Sequence, residues 1–203
     1  MMIIGLTGSF ASGKSTVAEF LIKAHVPVID ADELARSVCS PGSMCLKKIV
    51  STFGPNILNA NLSLNRKALA SIVFNDQEQL EKLEAIVHPA VHQLFLEELK
   101  KHKAHKESVV VYMAPLLFEK NLELHFDKII LITAPQQKMI KRAMVRDDIS
   151  YEEAKRRLER QMPNSEKIMK ADEIIDNSGT KDDLYLKIKN IWKKICNQDL
   201  DEK

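Results

Sequence analysis

An α/β fold, a parallel sheet flanked by helices, is predicted by three observations on the sequence. The first apolar run, Ile3-Ile4-Gly5-Leu6, stops at glycine and reopens as a helix behind Gly13-Lys14-Ser15. Two later runs, Ser108-Val109-Val110-Val111-Tyr112-Met113 and Asp127-Lys128-Ile129-Ile130-Leu131-Ile132-Thr133, are continuous and β-prone, as expected of strands buried on both faces. Between and after these runs the apolar residues recur at helical steps.

The junction after the first run is the most informative stretch. Gly8 and Gly13-Lys14-Ser15 fit the spacing G-x-x-x-x-G-K-[ST] of a phosphate-binding loop, with an apolar segment before it and Val17-Ala18-Glu19-Phe20-Leu21-Ile22 after it. Glycines take dihedrals that a side chain forbids, so successive amide N–H groups turn inward and form an anion-binding concavity. The helix behind adds its free N–H groups and the positive end of its dipole. Lys14 is expected to reach the β- and γ-phosphates of a nucleotide, and the Ser15 hydroxyl to hold Mg²⁺. Gly8, Ala11, Ser12, Gly13, Lys14, Ser15 and Thr16 are therefore the expected nucleotide-binding residues. Thr7, Ser9 and Ser12 each fit loop hydrogen bonding as well as phosphate contact.

The 203 residues suffice for one domain with a full core, and no second independent domain is required. With 30 Lys and Arg against 28 Asp and Glu, the formal charge of +2 points to neither a nucleic-acid nor a membrane surface. Cys39, Cys45 and Cys196 have no C-x-x-C spacing and read as reduced thiols of a cytoplasmic protein. No apolar run approaches the roughly 20 residues of a membrane span. The N-terminal run enters the phosphate loop directly and not a cleavage site, so the chain reads as soluble and unprocessed.

In chain order, residues 3–7 form the first expected strand and residues 15–24 the first helix. Val26-Pro27-Val28-Ile29 is a second short strand, ending in Asp30-Ala31-Asp32-Glu33-Leu34-Ala35-Arg36. In an open parallel sheet ligands gather beyond the carboxyl ends of strands, so residues after this run are expected on the loop's side. Asp30 with Glu33 has the form of a helix N-cap. Asp32 is not needed for that cap; it and Arg36 form either a surface ion pair or part of the site. Residues 41–105 read as helices without an intervening strand, an insertion that binds an acceptor. Its longest apolar stripe runs through Leu80, Leu83, Val87, Val91, Leu94 and Leu99 and is interrupted at His88-Pro89, by a kink or by a boundary between two helices. His88 fits substrate contact and structural capping equally.

Beyond the third strand, Tyr112-Met113-Ala114 stands where a metal-binding acid is usual. A metal carboxylate is then expected from elsewhere, Asp32 being the candidate, or through water. The helix over residues 136–147 carries Arg142 and Arg146 one turn apart with no carboxylate at helical spacing. Like charges at that spacing repel mildly, so a bound polyanion is a physical reason to keep them together; solvated surface cations are the alternative. In the next helix, Ser150-Tyr151-Glu152-Glu153 reads as a capping box, with Glu152 and Glu153 four residues before Arg156 and Arg157. Arg142, Arg146 and Arg160 are thus candidate phosphate clamps on a lid. A fifth short strand starts near Asp172, and an amphipathic helix over residues 181–197 closes the chain. Asn177 and Gly179, just past that strand, fit either the edge of an adenine pocket or a plain turn.

Taken together, these segments resemble the dephospho-coenzyme A kinase family over nearly the whole chain. The resemblance rests on the loop Gly8 to Ser15, Asp30-Ala31-Asp32 with Ala35-Arg36, Ile86-Val87-His88-Pro89, and Pro115-Leu116-Leu117-Phe118-Glu119. Arg142 with Arg146-Asp147, Gln161, and Ala171-Asp172 leading to Asp176-Asn177-Ser178-Gly179 extend it. Departures are Ser9-Phe10-Ala11 in place of a glycine-rich loop interior and the missing acid before Pro115. The resemblance implies a P-loop kinase fold with a five-stranded parallel sheet, a helical acceptor-binding insertion and an arginine-bearing lid. Its implied layout is a single domain of residues 1–203, with a core of about 1–31, 106–146 and 171–203, the insertion at about 32–105 and the lid at about 147–170. It implies transfer of the ATP γ-phosphoryl group to the ribose 3′-hydroxyl of dephospho-CoA, with Mg²⁺. Asp32, Lys14, Arg142 and Arg146 are the expected catalytic residues, Asp32, Arg36 and His88 the acceptor contacts, Asn177 a nucleotide contact, and Ser15 the metal ligand. A monomer or weak homo-oligomer is expected. A nucleoside monophosphate kinase shares the loop and lid arginines but not Asp30-Ala31-Asp32 or His88-Pro89. A guanine-nucleotide switch lacks support because no N-K-x-D segment occurs.

Overall fold

A computed structural model describes residues 1–73 and 76–200. Residues 74, 75 and 201–203, which the expected insertion and core include, lie outside the described residues. Five strands, β1 (Met2–Gly8), β2 (Val28–Asp30), β3 (Val109–Met113), β4 (Lys128–Thr133) and β5 (Glu173–Asp176), form one sheet in the order β2-β3-β1-β4-β5. β1 pairs in parallel with β3 (Ile4 opposite Val111) and with β4 (Gly5 opposite Ile129), and β4 pairs in parallel with β5. This is the expected parallel sheet. β1 leads away on one side and β4 on the other, so the chain direction switches between two neighbouring strands, where open α/β sheets bind ligands.

The chain divides into two compact units, residues 1–28 with 102–203, and residues 29–101. In the first unit, α1 (Lys14–Lys23) and α9 (Lys181–Cys196) belong to one hydrophobic cluster with the sheet. Ile4, Leu6, Val111 and Ile132 meet Val17, Phe20, Leu21, Leu184, Ile188 and Trp192 there, and Phe20 stacks on Tyr185 at 4.7 Å. Leu184, Ile188 and Trp192 are the buried residues of α9, and Ile191 and Ile195, partly buried, pack against the same cluster. On the other face of β1, Gly5 leaves room for Leu117: a Cβ at Gly5 would lie 2.8 Å from Leu117 Cδ1. The helices α6 (Gln136–Asp147), α7 (Tyr151–Glu159) and α8 (Asn164–Lys170) follow β4. Ile140, Ala143 and Ala154 make a small core joining α6 to α7, against which Phe10 and Ala11 pack.

The second unit contains α2 (Ala31–Val38), α3 (Met44–Phe53), α4 (Arg66–Val73) and most of α5 (Gln77–Ala104). Asp30 caps α2 as expected, accepting the Asp32 N–H at 2.8 Å. The core gathers Cys39, Cys45, Ile49, Ile57, Leu69 and Val73. Burial, with the Cys45 thiol beside it, pushes the Cys39 thiol up to about 11, so it stays protonated and unreactive. The interruption at His88-Pro89 is not a boundary between two helices: α5 runs through Pro89 as one helix of 28 residues. Proline removes one backbone hydrogen bond, and Leu80, Leu83, Ile86, Val87 and Ala90, packed against the core on both sides of it, hold the helix together.

Because the helix is continuous, Pro89→Ala restores a donor facing the Ala85 carbonyl. It is expected to raise unfolding free energy by about 1–3 kcal/mol in a urea titration. A loss of stability would mean that Pro89 shapes α5 in a way alanine cannot.

Candidate active site

The site of the first unit is built at the carboxyl ends of β1, β4 and β5. Gly8 (φ +156°) and Gly13 (φ +106°) bracket the loop, and a side chain at either would collide with a neighbour. A Cβ at Gly8 would lie 2.3 Å from the Ile132 carbonyl oxygen, and one at Gly13 2.1 Å from Asn177 Nδ2. The loop interior lacks glycine, yet Ala11 takes the left-handed conformation at φ +57°, a strain of roughly 1–2 kcal/mol. α1 starts at Lys14 with no side-chain cap, so its first N–H groups are open to an anion. Lys14 is buried and donates from Nζ to the Gly8 and Ser9 carbonyls at 2.6 and 3.0 Å, folded back along the loop. Ser15 is exposed and Thr16 half-buried in the first turn.

Buried polar atoms collect around this loop. Thr7 Oγ1 and Ser12 Oγ are buried without a hydrogen-bond partner among the described residues. Arg142 donates from Nη2 to the Asn177 carbonyl at 3.1 Å, while its Nη1 is buried and unpartnered. Asn177 in turn donates from Nδ2 to the Ser12 carbonyl at 2.8 Å, and its N–H continues the β4 ladder to Thr133. Its side chain is thus turned onto the loop, which the sequence alone did not reveal. Loop, Arg142 and Asn177 form one hydrogen-bonded assembly with unsatisfied donors.

Arg146 corrects an expectation. It has a carboxylate partner after all, Asp147, reached from Nε at 2.7 Å and from Nη2 at 2.9 Å. Asp147 is the last residue of α6 and Asp148 leaves in a left-handed turn (φ +51°); the acid that Arg146 finds is its sequence neighbour, where helical spacing offers none. Hydrogen bonding to Arg146 holds the Asp147 carboxyl below its ordinary range, and Arg157 adds to this. The Arg146 guanidinium also lies over the Phe10 ring, 5.1 Å from its centroid. The expected capping box at Ser150 is half formed: Ser150 accepts the Glu153 N–H, but the Glu153 carboxylate pairs with both Arg156 and Arg157. Glu153 reaches Arg156 at three residues' distance and Arg157 at four, both of them neighbours on the helix surface.

Two contacts tie residues 161–164 to the loop. Gln161 Oε1 accepts the Phe10 N–H at 2.7 Å, and Asn164 Oδ1 accepts the Ser9 hydroxyl at 2.7 Å. Asn164 escaped the sequence reading, since a polar residue at a helix start after Pro163 has no local mark of a long-range partner. In the second unit, Asp32 and Arg36 are exposed in the first and last turns of α2, and His88 is exposed on α5. Among the described residues there is no cluster of three or more His, Cys, Asp or Glu side chains able to hold a metal. No described helix is long and apolar enough to cross a membrane.

A family model described as dephospho-CoA kinase (CoaE) matches residues 2–183. A protein named dephospho-CoA kinase from Geobacter sulfurreducens is 42% identical over 194 residues, 96% of this chain and 98% of that one. Among solved structures, TT1252 from Thermus thermophilus is 36% identical with a TM-score of 0.84, covering 96% of this chain and 97% of that one. The dephospho-CoA kinase from Campylobacter jejuni is 32% identical with a TM-score of 0.72 and the same coverage.

Gly13→Ala places a methyl group on Asn177 and strains the backbone. It is expected to weaken binding of a fluorescent nucleoside triphosphate at least tenfold while circular dichroism shows a folded protein. Unchanged binding would remove the loop from the site.

Proposed function

This chain belongs to the dephospho-CoA kinase family, and on that premise we propose how its own residues transfer a phosphoryl group from ATP to the ribose 3′-hydroxyl of dephospho-CoA. The products are coenzyme A and ADP, in the last step of coenzyme A synthesis, carried out in the cytoplasm. The observation that carries the assignment of residues is the unsatisfied set around the loop: the uncapped start of α1, the Thr7 and Ser12 hydroxyls and Arg142 Nη1. Those groups are all donors or neutral hydroxyls, the chemistry that receives phosphate oxygens.

In this reading the loop amides from Gly8 to Thr16 hold the β-phosphate. Lys14 exchanges its two loop carbonyls for phosphate oxygens. Arg142, already fixed by Asn177, neutralises charge developing on the transferred group. Arg146 joins when it leaves Asp147; their exposed ion pair is worth at most about 1 kcal/mol, so a polyanion competes well for it. Asn177 shapes the loop and carries Arg142, and so serves the nucleotide from behind. Ser15, exposed in the first turn, would hold Mg²⁺ through its hydroxyl beside the phosphates. Mg²⁺ so held would offset phosphate charge.

Asp32 is assigned to orient and deprotonate the acceptor hydroxyl, with Arg36 and His88 contacting the acceptor. Support comes from its position two residues past β2, since active groups in parallel sheets follow strand ends. The second unit is assigned to the acceptor and residues 147–170 to the lid. The second unit also has a groove of about 340 Å³ lined by Met44, Cys45, Lys48, Ala85, Ile86, Pro89 and Ala90.

ADP release with Mg-ATP, compared across dephospho-CoA, AMP, CMP and shikimate, tests the assignment. Turnover is expected with dephospho-CoA alone, giving a product heavier by one phosphoryl group. Turnover with a nucleoside monophosphate instead would overturn the acceptor. Asp32→Asn should lower kcat by about 10²–10⁴ with ATP affinity little changed; parallel loss of both would assign Asp32 to metal or fold. Arg142→Ala should slow transfer in a folded protein, and normal turnover would exclude it from the mechanism.

A further inference from the structure

Among the described residues, Lys167 of α8 is the charged side chain most completely removed from solvent, with no exposure at all. Its Nζ lies 2.8 Å from Glu119 Oε1. Glu119 ends the Pro115-Leu116-Leu117-Phe118-Glu119 segment that follows β3, and the phosphoryl-transfer scheme uses neither residue. The same carboxylate oxygen accepts the Met162 N–H at 3.0 Å; among the described residues Glu119 Oε2 is buried without a partner, and Lys167 Nζ is held by charge and not by a hydrogen bond. Two charges drawn out of water gain little net stability over a well-packed apolar pair, because their desolvation offsets their attraction. Stability is therefore a weak reason for this pair.

Geometry supplies a better one. Residues 161–167 form a strap, and Glu119 holds it at two points, Met162 and Lys167. From the same strap, Gln161 takes the Phe10 N–H and Asn164 takes the Ser9 hydroxyl. Ser9 and Phe10 lie in the loop interior that departs from a glycine-rich pattern, where side chains and an amide need outside partners to hold one conformation. Glu119 is thus linked to the loop through the strap.

We infer that Glu119, through Lys167 and the Met162 N–H, positions Gln161 and Asn164 against Ser9 and Phe10 and so sets the loop conformation that takes the phosphates of ATP. Glu119 is a positioning residue; it touches no reacting atom. The inference rests on the loop being the ATP site.

Glu119→Leu combined with Lys167→Met removes both charges together, leaves none buried alone, and is expected to fold with a melting temperature close to wild type. It deprives Met162 of its acceptor and the strap of its anchor. The expected result is a fall of about tenfold in kcat/KM for ATP, carried by KM, with KM for dephospho-CoA within about twofold of wild type. A pair that only stabilises the fold would not give an ATP-selective change in a folded protein, and wild-type ATP kinetics there would overturn the inference. Gln161→Ala with Asn164→Ala tests it independently of how the first variant folds. This half-buried pair should reproduce the ATP-selective rise in KM, and an unchanged KM for ATP would show that the strap does not set the loop. Wild-type protein without ATP-dependent turnover would instead strike the reading of the loop itself, and the inference with it.

Discussion

The close approach of β4 and of Asn177 to the loop after β1 is the constraint on which the rest of the site depends. The Ile132 carbonyl and the Asn177 amide occupy the space that a Cβ at Gly8 or Gly13 would need. Two glycines at that spacing are thus required by contact as well as by dihedral angle. Asn177 reaches the loop because β5 pairs with β4 and β4 with β1; its own N–H still belongs to the β4 ladder. The sheet order therefore acts directly on the loop, and from Asn177 the same order passes on to Arg142.

The arginines one turn apart on α6 illustrate how local rules mislead at a helix end. Spacing of three or four residues finds no acid for either, and a shared polyanion follows as the physical reason for both. Yet the two have different states. Arg142 has one nitrogen on the Asn177 carbonyl and another buried without a partner, so it stands ready. Arg146 is occupied by Asp147 and by the Phe10 ring. Its partner is adjacent in sequence, a pairing that spacing of three or four residues does not look for and that the long arginine side chain reaches in the last turn of α6. One cation is fixed beside the loop and the other is paired with a half-buried carboxylate.

Much of this was legible in the sequence, and the limits are physical. The strands were legible because parallel strands buried on both faces are written as unbroken apolar runs, and the loop because its chemistry is local. Pro89 misled because a proline's lost hydrogen bond is visible in sequence, whereas the packing of Ile86, Val87 and Ala90 that outweighs it is not. Gln161, Asn164, Glu119 and Lys167 interact across 43 or more positions, as with the Met162 N–H on Glu119, and no periodicity encodes such pairs. Asp32, Arg36 and His88 were singled out by motif, and within their own unit they are exposed side chains on regular helices.

The energetics of the loop bear on why it has this form. A buried polar group left without a partner costs about 1–3 kcal/mol, and Thr7 Oγ1, Ser12 Oγ and Arg142 Nη1 are three such atoms. Left-handed geometry at Ala11 adds strain of the same order. A turn whose task was only to join β1 to α1 would shed these costs with a shorter, solvated loop. An anion seated on the loop satisfies the donors at once and, binding only the folded state, stabilises it in proportion to the logarithm of its concentration. The strain and the unmet hydrogen bonds are then the form that affinity for phosphate takes in the free protein.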